Sequence, residues 1–160
     1  MEWPFRVRKG SHMKLSTKSR YSLRAMLHLA LHQGAGAVMM AREIAECQNL
    51  PETYLEQLML ALRKAGLVSA IRGAHGGYML ARKPEDITLA QIVAALEGTL
   101  SIADCCEVPN CCINPVTCAL KDVFGEVNGK LYAAFDGITL ADLARRQQSK
   151  ELAEAPMYYI

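Results

Sequence analysis

From Thr17 to Gln33 apolar residues return at helical spacing, through Tyr21, Met26, Leu27, Ala30 and Leu31. Ser16 or Thr17 supplies an N-cap, and Gly34-Ala35-Gly36 supplies a stop. A second, shorter helix is predicted over Met40–Cys47. Asn49-Leu50-Pro51 then makes a turn, and Pro51 opens a third helix that reaches about Ala65. Leu55, Leu58 and Leu62 share one face of that helix. Glu52, Glu56, Arg63 and, in part, Gln57 project from the other.

Gly66 ends the third helix, and the period changes from helical to extended. Leu67–Ile71 is predicted as a strand, residues 72–77 (RGAHGG) as a turn, and Tyr78–Ala81 as the returning strand. Two helices, a tight turn and a hairpin follow the order of a winged helix-turn-helix. The alternative is a plain αα-hairpin beside a β-hairpin. Ile87–Leu96 is a further apolar helix, broken at Glu97-Gly98. Ser101–Thr117 holds Pro109, Asn110, Asn114 and Pro115 and must be a loop. Thr117–Phe135 is the longest helical pattern, with Leu120, Val123, Val127, Leu131 and Phe135 three or four residues apart. So regular a stripe suits a dimer seam, or packing on its own domain. Gly137 ends it, and a short last helix, Leu140–Arg146, starts from a Thr139 cap. The expected fold class is mainly α with a small β-hairpin wing. It comprises a winged helix-turn-helix over 13–97, a cysteine-rich loop over 98–118, a dimerisation helix and short helix over 119–148, and a tail over 149–160.

Charge adds a division that periodicity does not show. Met1–His12 reads as an expression-tag remnant, ending in Gly10-Ser11-His12, so Met13 is taken as the start of the natural chain. Residues 13–83 carry ten basic and four acidic side chains, net +6, and residues 84–160 carry five and eleven, net −6. The first half suits a polyanion and the second does not. No apolar run reaches the ~18 residues of a membrane span, and no signal peptide is recognisable, so the cytoplasm is expected. Five of the six cysteines, Cys105, Cys106, Cys111, Cys112 and Cys118, fall within 14 residues. In a cytosolic chain so dense a cluster favours metal or redox chemistry over disulfides. Cys47 stands apart and reads as a buried helix residue. No nucleophile–base set, phosphate loop or carboxylate pair is present, and His28 and His32 look like an ordinary helix face, so an enzyme is not expected.

The stretches MKLSTKSRYSLRAMLHLAL, TYLEQLMLALRKAGLVSAIRGAHGGYMLAR and the cysteine loop after ALEGTLSIADC resemble the iron–sulfur cluster regulator (IscR-like) family of bacterial winged-helix repressors. The resemblance spans nearly all of Met13–Arg146. The related cysteine-metabolism repressor shares the YLEQL…LRKAGLV…RG..GGY pattern and a tail similar to Met157-Tyr158-Tyr159-Ile160, and it lacks the cysteine cluster. The resemblance implies a homodimer on a palindromic double-stranded operator. It also implies a 2Fe–2S cluster that controls binding, and target genes for cluster assembly. A cysteine-metabolism-type repressor with a protein or small-molecule partner, and a nitric-oxide or redox sensor of the same fold, are the alternatives.

In that setting the start of the third helix should enter the major groove. Glu56 can accept from a cytosine amino group and Gln57 can pair with adenine, with Thr53 and Tyr54 reaching phosphates or base edges. Composition alone favours a surface ion pair of Glu56 with Arg63 or Lys64, because carboxylates repel phosphates; the resemblance reverses that reading. Arg72, beside Gly73, suits insertion into a narrow minor groove. Lys14, Lys18, Arg20 and Tyr21 read as phosphate contacts that position without specifying, and His75 as a further one.

Thiolates hold iron–sulfur clusters, and Cys112 and Cys118 reproduce the family's last ligand pair. The first ligand is Cys105 or, by equal spacing, Cys106, and Cys111 can replace Cys112. The preferred set is Cys105, Cys112 and Cys118. The family's fourth ligand, a histidine three positions after the last cysteine, is replaced here by Lys121, which cannot ligate while protonated. Asp104, Glu107, Asp122 or a residue of a partner subunit are the substitutes. Tetrahedral zinc and a metal-free thiol switch are the competing uses of the cluster.

Overall fold

The computed structural model describes residues 15–32, 38–73, 76–98, 100–102 and 118–154. Six helices and one hairpin follow in order: α1 (Thr17–His32), α2 (Ala41–Gln48), α3 (Glu52–Lys64), β1 (Val68–Ile71), β2 (Gly77–Leu80), α4 (Leu89–Glu97), α5 (Ala119–Asp136) and α6 (Leu140–Glu154), with a 3-10 turn at Pro84–Asp86. The fold is mostly helical with a small β-hairpin, as the periodicity predicts.

Local chemistry accounts for most of the boundaries. Ser16 caps α1, its Oγ accepting the Ser19 N–H at 3.1 Å. Asn49 adopts a left-handed conformation, φ 52°, and its N–H closes on the Ala45 and Glu46 carbonyls, which makes the tight turn out of α2. Pro51 sits in extended backbone as the N-cap of α3. Thr88 accepts from the Gln91 N–H to start α4, so Ile87 is an extended residue buried in the core rather than the first residue of that helix.

The core is one cluster. Ala25, Met26 and Leu29 of α1 meet Ile44 and Ala45 of α2 and Leu55, Met59 and Leu62 of α3. Leu67, Val68 and Leu80 bring in the hairpin, and Ile87 and Ile92 bring in α4. Leu140, the first residue of α6, is fully buried in the same cluster. The reason is a short antiparallel bridge between Thr88 and Thr139. Leu89 N–H donates to the Ile138 carbonyl at 3.0 Å and Leu140 N–H to the Ile87 carbonyl at 2.8 Å. Thr88 Oγ1 also donates to Asp136 Oδ1 at 2.9 Å. The winged-helix core therefore extends past residue 97 and takes in the start of α6.

Two expectations change. Helix α6 runs on to Glu154, eight residues beyond Arg146. Its extension is polar and carries no apolar period to read. It is held instead by pairs one turn apart, such as Gln147 Nε2 to Glu151 Oε1 at 2.8 Å. Cys47 is exposed, not buried, because the inward face of α2 runs through Ile44 and Ala45. No helix among the described residues is long and apolar enough to cross a membrane.

Helix α5 stands apart from this core and buries none of its residues fully. Phe135 and Leu131 are half-buried on the side toward α4, whereas Leu120, Val123, Val127 and Tyr132 remain about half or more exposed. The stripe read from the sequence is thus only partly covered within one chain.

Two outcomes follow from this packing. Leu140→Ala should lower unfolding stability by about 2–5 kcal/mol, measured by denaturant titration, because it empties a fully buried site. Burial, with the charge of His32, pushes His28 below the ordinary histidine value of 6.5, and Glu43 only partly offsets it. Its contribution is therefore complete above about pH 6.5 and is lost as pH falls through the lower folded value. Thermal melts between pH 7.5 and 5 should show a loss that His28→Gln reduces.

Candidate nucleic-acid interface

The face of α3 opposite its core stripe is set by burial. Leu55, Leu58, Met59 and Leu62 point inward, which leaves Thr53, Glu56 and Gln57 exposed on the other side. None of the ion pairs among the described residues involves Glu56, so the alternative surface pair with Arg63 or Lys64 does not form. Tyr54 is half-buried and meets Tyr21 of α1 edge to face, ring centroids 6.3 Å apart at 89°. That contact joins the first turn of α3 to the first turns of α1, where Lys18 and Arg20 are exposed. Arg20 reaches only Thr17 Oγ1 of its own turn, at 3.4 Å.

The hairpin pairs Val68 with Leu80 through to Ile71 with Gly77. Its outer strand is tied on the far side to Met39, by Met39 N–H to the Tyr78 carbonyl at 2.9 Å and Tyr78 N–H to the Met39 carbonyl at 2.8 Å. Gly77 permits this approach, since a Cβ there would collide with the Met39 carbonyl. Arg72 and Gly73 lie exposed at the end of β1. A shallow groove runs between the wing and the start of α3, lined by Met40, Arg42, Glu52, Glu56, Gly73 and Tyr78. Burial raises the Tyr78 hydroxyl above its ordinary range, and the Glu56 carboxylate adds to the shift. A larger recess between α1 and α6, near Leu27 and Leu143, lies away from this face.

The structure thus gathers Lys18, Arg20, Tyr21, Thr53, Tyr54, Glu56, Gln57, Arg72 and Gly73 onto α1, α3 and the wing tip. Lys14 and His75 lie outside the described residues. One basic side chain beside the groove escapes a reading by periodicity. Arg42, in the first turn of α2, is exposed and bonded to Glu46 Oε1 at 2.8 Å.

Of the cysteine segment, Cys118 is described. It is a free, half-buried thiol at the N-cap of α5. Its side chain makes no capping bond, and its carbonyl accepts the Lys121 N–H at 3.1 Å. Cys118 thus stands at the positive end of an 18-residue helix. Lys121 and Asp122 are both exposed in the next turn. Cys105, Cys106, Cys111 and Cys112, with Asp104 and Glu107, lie outside the described residues. Among the described residues no group of three His, Cys, Asp or Glu is gathered to hold a metal.

A helical trio with a glycine-dependent wing, an outward polar face on the third helix and arginines beside it define a winged-helix transcriptional regulator, not an enzyme. Residues 15–146 match the Rrf2 family, described as iron-dependent transcriptional regulators, and the chain belongs to that family. It is 41% identical over 133 residues to protein rrf2 of Nitratidesulfovibrio vulgaris, covering 83% of this chain and 88% of that one. It is 40% identical over 148 residues to the HTH-type transcriptional regulator CymR of Bacillus subtilis, covering 92% of this chain and all of that protein. Among solved structures, IscR of T. potens superposes with a TM-score of 0.71 at 41% identity, covering 92% and 97% of the two chains.

Replacing Gly77 by valine should separate β2 from Met39 and loosen the wing. We expect a lower melting temperature and roughly tenfold weaker binding to duplex DNA by fluorescence anisotropy, the scale of a steric clash costing about 1–3 kcal/mol.

Proposed function

We propose that the chain is a DNA-binding repressor that acts as a homodimer in the cytoplasm. Its hold on a palindromic operator is set by an iron–sulfur cluster of the 2Fe–2S type, and its targets are genes of iron–sulfur cluster assembly. The observation that carries the DNA reading is the uncommitted polar face of α3, flanked by the wing tip and the first turn of α1. On this reading Thr53, Glu56 and Gln57 carry sequence readout, and Tyr54 reaches phosphates or base edges. Arg72, beside Gly73, enters the minor groove, and His75 adds a phosphate contact. Lys14, Lys18, Arg20 and Tyr21 hold phosphates.

The homodimer reading is supported by α5. Leu120, Val123 and Val127 leave an apolar stripe that a second copy of the same helix would bury, each side chain contributing on the order of 1 kcal/mol. Two copies would then present two recognition helices to two half-sites.

The cluster reading is supported by the five-cysteine segment that ends on Cys118. Cys105, Cys112 and Cys118 would hold the cluster, with Cys106 and Cys111 as alternates. Asp122, Asp104, Glu107 or a partner-subunit side chain would complete the set in place of Lys121. When bound, the cluster supplies a redox- and iron-responsive centre at the start of α5. By linkage, whatever it does to operator affinity, the operator does equally to cluster affinity. The extensive identity to the Bacillus cysteine regulator favours a second reading, in which a partner or small molecule sets operator binding.

Anaerobic purification followed by a visible spectrum with iron and sulfide analysis tests the cluster. A coloured, iron- and sulfide-containing protein is expected. A colourless protein that takes up no iron on reconstitution removes the cluster reading and leaves the second. Operator duplexes selected from a random pool test the interface. Gln57→Ala and Arg72→Ala should each weaken binding by about 1–3 kcal/mol, and unchanged binding by both would refute the assignment.

A further inference from the structure

Helix α1 begins on a hydrogen-bond cluster drawn from two distant parts of the chain. The Ser16 backbone N–H donates to Glu97 Oε1 at 2.9 Å across 81 positions of sequence. Beside it the Ser16 hydroxyl donates to Ser19 Oγ at 3.4 Å, and Ser19 is fully buried. Burial pulls the Glu97 carboxyl upward, but hydrogen bonding from this serine turn outweighs it and holds it below the usual carboxylate range.

Glu97 is the last residue of α4. A carboxylate there faces the negative end of its own helix, which is locally unfavourable. Its location favours α1, where it satisfies the backbone N–H of the N-cap residue Ser16. Gly98 follows at φ 82°, its N–H closing on the Ala94 carbonyl, and there the chain leaves α4. A backbone donor at the start of α1 is thus satisfied by a side chain at the end of α4.

We propose that Glu97 is a positioning residue for DNA binding, fixing the first turn of α1, with Lys18 and Arg20, to the end of α4. This rests on the reading of Lys18 and Arg20 as phosphate contacts. Glu97 touches no nucleic acid. Two effects of removing it oppose one another. Loss of a negative charge near the DNA favours binding in a salt-dependent way. Release of the first turn costs binding, because two cations must then be ordered again. Glu97 is already committed to the Ser16 N–H, so the second effect dominates.

Binding of the full chain to a fluorescent duplex of unrelated sequence, about 30 base pairs or three helical turns long, tests this. Affinity is measured across a salt series, with amide exchange followed over residues 16–22. Glu97→Ala should weaken binding about 3- to 10-fold, the scale of a lost helix cap. It should also lower the slope of log K against log salt by roughly one phosphate contact, about 0.9, and speed exchange in the first turn of α1. Glu97→Gln keeps the acceptor oxygen and should stay within about twofold of the parent. Binding by Glu97→Ala that equals or exceeds the parent, or an unchanged first turn, overturns the proposal. A Lys18→Ala/Arg20→Ala variant separates the two ways to fail. If that variant binds as the parent does, the phosphate-contact reading is wrong and the proposal falls with it. If it loses affinity while Glu97→Ala does not, the proposal alone is wrong.

Discussion

The burial of one face of α3 is the constraint on which the rest depends. Leu55, Leu58, Met59 and Leu62 take the whole inward stripe of a 13-residue helix. With 3.6 residues per turn, Thr53, Glu56 and Gln57 then have nowhere to go but outward. Everything that supports the candidate interface packs around that decision. Helix α2 lies against α3 through Ile44 and Ala45, and the hairpin is fixed by Leu67 and Val68 directly after Gly66. Thr53, Glu56 and Gln57 on the outward face are exposed, and Glu56 enters no ion pair among the described residues.

Glycine and carbonyl geometry then place the wing. The Met39–Tyr78 bridge holds the outer strand to the segment that enters α2. Its contact is possible only because residue 77 has no side chain. The wing tip with Arg72 is therefore positioned by the entry to the helix-turn-helix and not only by its own turn. Helix α5 is organised differently. Its C-terminal part packs on α4, and its N-terminal part, beginning at Cys118, carries apolar side chains without cover in one chain. A helix of that composition is suited to be completed by something outside the chain.

Much of this is legible in the residues. The helical period marks α1, α3 and α5 to within two residues, since a repeating apolar face is a one-dimensional signal of burial. Gly66 and the glycine-rich turn mark the hairpin for the same local reason. The extension of α6 past Arg146 is illegible because a polar helix has no such period; its stability comes from pairs such as Gln147 with Glu151. Cys47 was misread because an eight-residue helix gives too few turns to fix which side faces the core. Of the interface, the polar residues of α3 and the arginine of the wing were readable. Arg42 was not, since one exposed cation carries no pattern.

What the sequence by itself determined is local and periodic: helix-turn-helix order, the hairpin, the charge division and the crowding of cysteines before α5. Tertiary structure alone decided which distant residues meet. Leu140 joins the core through a bridge at Thr88, Tyr21 meets Tyr54 across two helices, and Glu97 accepts from the N-cap residue Ser16, 81 positions earlier. Such contacts satisfy hydrogen bonds and bury area between segments far apart in the chain. Their partners have no fixed spacing, so no period can announce them.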